Sequence, residues 1–122
     1  MPVIEGGTRK YTQLIVDDEL YGGEPRSYRV MEVFGDPEKR RMGREFAHIE
    51  FQRGPIKTVG VNGCFCEDLL YICLHRLKRF QSGDLPSSHN DNAIHHIECA
   101  LQNLKDRTYD REKRGVEGTY KA

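Results

Sequence analysis

The sequence predicts an α+β chain: a small antiparallel β region, residues 1–63, followed by a two-helix hairpin, residues 64–122, assembled as a homo-oligomer. Three observations predict it. Before residue 63 the apolar residues come in short β-branched and aromatic runs cut by turn residues. After it they recur at intervals of three and four. Hydrophobic residues make up 37% of the 122 residues, a modest core that association with further copies would enlarge.

The elements follow in order. "KYTQLIV" (10–16) and "RSYRVMEVF" (26–34) read as strands. Turn signals bound them at Gly6-Gly7, at Gly22-Gly23 with Pro25, and at Gly35-Asp36-Pro37. The alternation in the second is imperfect, which suits a strand covered on both faces. "DPEKRRMGRE" (36–45) reads as a charged loop or a short helical turn. In "FAHIEFQ" (46–52), Phe46, His48 and Glu50 alternate with Ala47, Ile49 and Phe51. "GPIKTVGVNG" then reads as a Gly-Pro turn, a short strand and a second turn at Asn62-Gly63.

The first helix spans 64–81, with Phe65, Leu69, Cys73, Leu77 and Phe80 on one stripe and Leu70 and Leu74 beside it. Glu67 and Asp68 suit its first turn, and Arg76, Lys78 and Arg79 its last. "SGDLPSSHND" connects it to a second helix starting near Asn90 or Asp91. Ile94, Ile97, Leu101, Leu104 and Thr108 form a heptad-like seam on that helix. Gly115 is the expected stop.

Composition narrows the function. Lysines and arginines balance acidic residues at 19 each, so no long-range field draws a nucleic-acid polymer. The start, "MPVIEGGTRKYT", has no long apolar region, and no secretory signal is expected. No run approaches a membrane span. Cys64, Cys66, Cys73 and Cys99 are then expected as reduced, buried helix thiols. Their spacing lacks paired CxxC ligands, so neither a structural metal nor any other cofactor is predicted. Catalytic signatures are missing as well: there is no GxxxxGK[ST] loop, GxSxG elbow or HExxH. His95 and His96 are adjacent on a helix and face different ways. Binding without turnover fits better than an enzyme. The alternatives are a small nucleic-acid-binding or regulatory module and an enzyme that cleaves a cyclic nucleotide.

The chemistry concentrates at the end of the second helix. At 100° per residue, Arg107, Arg111 and Arg114 fall within roughly 60° of one another. Arg111 lies seven residues beyond Leu104, on the seam. One reading is a solvated helix end, paired with Asp106, Asp110 and Glu112. The other is an anion pocket, since the planar guanidinium fork suits phosphate oxygens and "GVEGTY" provides backbone amides nearby.

"FQRGPIKTVGVNG", "EDLL", "RLKRFQSG" and "NDNAIHHIECALQNLKDRTYDREKRGVEGT" together resemble the phage anti-Thoeris sponge proteins, Thoeris anti-defence proteins that sequester glycocyclic ADP-ribose signals. The resemblance covers residues 46 to 119. The helical pair also resembles a hairpin shared with phage anti-CBASS sponges, which bind cyclic oligonucleotides.

The resemblance implies a phage immune-evasion protein in the cytoplasm of the infected bacterium that binds its signal without cleaving it. It further implies homodimers with ligand pockets at the subunit interface, and hexamers in some relatives. Carried over to this sequence, Arg107 and Arg111 are expected on phosphate oxygens, with Thr108 and Arg114 in the same motif. Asn90 and Asn92 stand at the helix start, where one of them also suits a cap. Phe80 suits stacking on adenine or core packing. Lys57 and Asn62 are further candidates.

Overall fold

The computed structural model describes residues 3–4, 10–17, 24–35 and 38–121, with Ile4 described by its backbone alone. The glycine pairs at 6–7 and 22–23 and the Asp-Pro step at 36–37, expected as turns, lie outside them. The chain is α+β and divides into two compact units. One is Met1–Arg53 with Asn62–Cys64, and the other is Gly54–Val61 with Phe65–Ala122.

The first unit is an antiparallel sheet in the order β1-β2-β3-β4. Its strands are β1 (Val3–Ile4), β2 (Thr12–Val16), β3 (Ser27–Phe34) and β4 (Arg41–Glu50). β2 and β3 coincide closely with the predicted runs. Ile15 and Val16 are fully buried, and Met31 and Val33 nearly so. Ile15 and Val16 are neighbours in a strand and point to opposite faces, so both faces of β2 are covered there. In β3 burial is one-sided at Met31 and Val33, so two-faced covering falls on β2 instead.

β4 corrects the reading of 36–45 as loop or helical turn, because the strand begins at Arg41. It is two residues longer than β3, ten against eight, and its register with β3 shifts twice. Such bulges belong on edge strands. At Gly43, an added Cβ would stand 2.5 Å from Glu32 Oε1 and 2.8 Å from the Phe34 ring, a close approach only glycine permits. The flanking charges satisfy one another across the sheet. Arg44 donates from its backbone N–H and from Nε to Glu32 Oε1, at 3.1 and 3.2 Å.

In the second unit, α1 (Ile56–Val59) is a single helical turn where a short strand was expected. The carbonyls of Pro55 and Ile56 receive the turn's N–H groups instead of a neighbouring strand. The main body is α2 (Cys66–Gln81) against α3 (Ser88–Lys113). Phe65 N–H donates to Asp68 at 2.9 Å, which fixes the start of α2.

α3 starts two residues earlier than expected. Ser87 is its cap and accepts from His89 N–H at 3.1 Å, so Asn90 and Asn92 both lie inside the helix. Leu74 and Leu101 are the buried pair, while Leu70, Leu77, Ile94, Ile97 and Leu104 are half-buried. The stripe on α2 therefore runs through Leu70, Leu74 and Leu77, and Cys73 lies outside it. Cys66, Cys73 and Cys99 are exposed and Cys64 is half-buried, against the expectation of buried thiols.

Candidate functional site

The end of α3 is built by its glycine. Gly115 adopts φ +71°. Its N–H bonds to the Glu112 carbonyl, and Val116 N–H bonds to the Arg111 carbonyl. This paired closure turns the chain back along the helix. The returning segment is held by Arg111. Its Nη1 donates to the Lys121 carbonyl at 2.9 Å, and its Nη2 to those of Val116 and Thr119 at 2.9 and 3.1 Å. Its Nε lies 3.3 Å from Glu117 Oε2, an oxygen that is buried and accepts no hydrogen bond among the described residues. The guanidinium that the sequence points toward phosphate oxygens is thus turned onto the chain's own turn.

The other cations at this end differ. Arg114 is paired with Asp110, Nε to Oδ2, at 3.1 Å. Arg107, one turn before Arg111, is exposed, and its side chain forms no hydrogen bond or ion pair among the described residues. Thr108 is half-buried and borders a groove of about 330 Å³ between α2 and α3, which Tyr71, Leu101, Lys105 and Tyr109 also line.

Lys57 joins this end through the turn, its backbone N–H donating to the Gly118 carbonyl at 3.1 Å. Its exposed side chain has no polar partner among the described residues. Arg107, Thr108 and Arg111 on α3, Arg114 at its cap and Lys57 on α1 therefore belong to the same end of the unit, with Arg111 and Lys57 both bonded to the turn.

The opposite end of the hairpin is organised by Gln81, which no motif in the sequence marks. Its amide donates to the Ser87 carbonyl and to Asp91 Oδ1, at 2.8 and 2.7 Å. Its oxygen accepts from Ser87 N–H and Asn90 Nδ2, at 2.8 and 3.2 Å. Asn90 is thereby fixed, whereas Asn92 is exposed. Phe80 is half-buried, with the Arg76 guanidinium 4.9 Å from its ring centre. Asn62 belongs to the sheet unit, where its side chain exchanges two 2.9 Å bonds with the Arg53 backbone.

Asn90 and Arg107 are 17 residues apart on one continuous helix, roughly 25 Å. One chain does not bring these two ends together.

Thoeris anti-defense 1 of Bacillus phage SBSphiJ7 is 35% identical over 109 residues, which are 87% of this chain and 70% of the relative. The chain belongs to the Thoeris anti-defense 1 family. No protein-family model matches it. Among the described residues of this Thoeris anti-defense 1 family member, no three His, Cys, Asp or Glu side chains cluster as metal ligands. No described helix is long and apolar enough to cross a membrane.

Proposed function

We propose that this chain binds a cyclic nucleotide immune signal of the glycocyclic ADP-ribose type and holds it uncleaved. A Thoeris effector in the cytoplasm of the infected bacterium then stays inactive. The observation that carries the reading is an exposed, unengaged Arg107 at the end of α3, in a member of the Thoeris anti-defense 1 family. A guanidinium offers phosphate oxygens a directed fork, which a neutral molecule needs where it lacks a general field.

The pocket is composite. Arg107, Thr108 and Lys57 from one copy face Asn90, Asn92 and Phe80 from another, because about 25 Å separates the two ends within a chain. Two copies with antiparallel α3 helices satisfy that requirement and cover the half-buried seam. Hexamers built from such dimers, and cyclic oligonucleotides as further ligands, belong to the same proposal.

The test is incubation with glycocyclic ADP-ribose isomers and cyclic oligonucleotides, then heat denaturation and mass analysis of what is released. Intact ligand supports a sponge; an altered mass makes the protein an enzyme; no ligand removes the proposal. Arg107→Ala should weaken binding about ten- to a hundredfold in calorimetric titration, with the melting temperature unchanged. Asp110→Ala should matter less, since Asp110 faces Arg114.

A further inference from the structure

We infer that Arg111 is a positioning residue: it clamps the 116–121 turn, and through that turn sets Lys57 beside the end of α3, while Arg107 and Lys57 present unengaged cations. The inference rests on the anion-binding reading above and assigns roles within that site.

Three features carry it. The Arg111 side chain is only 21% exposed and meets three backbone carbonyls and the Glu117 carboxylate. Three of those partners come from separate residues of the turn and the fourth from Lys121, so one planar group fixes the whole segment. A lysine ammonium has no such planar spread of donors. Second, the same turn makes its contact with α1 through the Gly118 carbonyl and Lys57 N–H. A Cβ added at Gly118 would stand 3.3 Å from Lys57 Cγ, so the turn lies directly on the lysine stem. Third, Arg107 and Lys57 are both among the cations left without polar partners at this end among the described residues, together with Lys105, Lys113 and Lys121, and of these Lys57 is the one the turn touches. A phosphate reaching Arg111 would first have to displace three carbonyl acceptors. One reaching Arg107 or Lys57 displaces only water.

The experiment is a double-mutant cycle on the full chain, Arg111→Ala against Gly118→Val, read by calorimetric titration of glycocyclic ADP-ribose. Gly118 has φ +77°, so valine there strains the turn and pushes on Lys57 without touching Arg111. Each single variant should weaken binding about tenfold, and the double variant no more than the worse single, because both act through one turn. Losses that multiply to about a hundredfold would overturn the inference.

Two further readouts separate the clamp from general destabilisation. Amide exchange at Lys57 and Thr119 should accelerate in Arg111→Ala while the Leu101 region stays protected; unchanged exchange at Lys57 would overturn the clamp, and this arm needs no ligand. The salt dependence of affinity should flatten in Arg107→Ala and keep its native slope in Arg111→Ala. A flattened slope in Arg111→Ala would make it a direct phosphate contact. If the native protein takes up no cyclic nucleotide, the functional reading fails, and the exchange result alone decides whether Arg111 holds the turn.

Discussion

The sheet unit and the helical unit solve the problem of a small core differently. The sheet unit buries a few residues completely, Ile15 and Val16, and binds its polar surface into cross-strand pairs. Arg29 meets Asp17 through Nη2 at 2.8 Å and through Nε, and Ser27 Oγ donates to the same carboxylate. The helical unit spreads its burial thinly. Within α2 and α3 only Leu74 and Leu101 fall below a tenth exposed, while Tyr71 and Ile72 stand half or more open. Its order comes from termini: the Ser87 cap, the Gln81 hub and the Arg111 clamp. The difference teaches that the helical unit has apolar surface in reserve, and it is also the unit that carries the candidate site.

The largest test of this contrast is Leu101→Asp. A carboxylate there is buried in place of a core leucine, and the expected loss is about 3–5 kcal/mol. Far-ultraviolet circular dichroism should show the helical signal melting at much lower temperature. Retention of the native melt would mean that the thin seam is not what holds α2 to α3.

Next in size is a matched pair, Ile15→Ala and Ile97→Ala. Ile15 is fully buried and should cost about 2–5 kcal/mol. Ile97 is half-buried and should cost roughly half as much in a dilute single chain. If a second copy covers the seam, the Ile97 cost should grow with protein concentration in chemical denaturation, and the Ile15 cost should not. Equal costs at every concentration would erase the contrast.

A smaller effect belongs to the ends. Ser87→Ala removes the acceptor for His89 N–H and should cost about 1 kcal/mol, with faster exchange confined to the first turn of α3.

The smallest concerns acid. The Arg29 hydrogen bonds hold Asp17 below its ordinary value of 3.8, and Arg44 holds Glu32 below 4.5. Both folded values are depressed. Their stabilisation is therefore complete above the ordinary values and is lost as pH falls through the folded ones. Sheet amides should keep constant protection down to about pH 4.5 and lose it below. In Arg44→Gln the Glu32 share of that loss should shrink to what the retained backbone N–H of residue 44 supplies.

Periodicity by itself determined α2, α3, the seam from Ile94 to Thr108 and the stop at Gly115. These rest on interactions within three to seven residues, which a sequence displays directly. β2 and β3 were legible for the same reason, as runs of β-branched residues between turns. Tertiary structure decided the rest. The first half of β4 reads as charged loop because its order comes from Glu32 and Phe34 on another strand. Residues 56–59 read as a strand because their β-branched side chains conceal a helical turn with no strand beside it. Ser87 stood inside a run of turn residues, and nothing local marked it over Asn90 as the cap.

At the site, the arginine cluster was visible in the sequence, but the different partners of its members were not. Arg107 and Arg111 are the same residue type one helical turn apart. Only the path of the chain beyond Gly115 brings three carbonyls and a carboxylate onto Arg111 and leaves Arg107 exposed. A residue's chemistry is fixed by its type, but whether its donors are free depends on which distant backbone folds back to meet them.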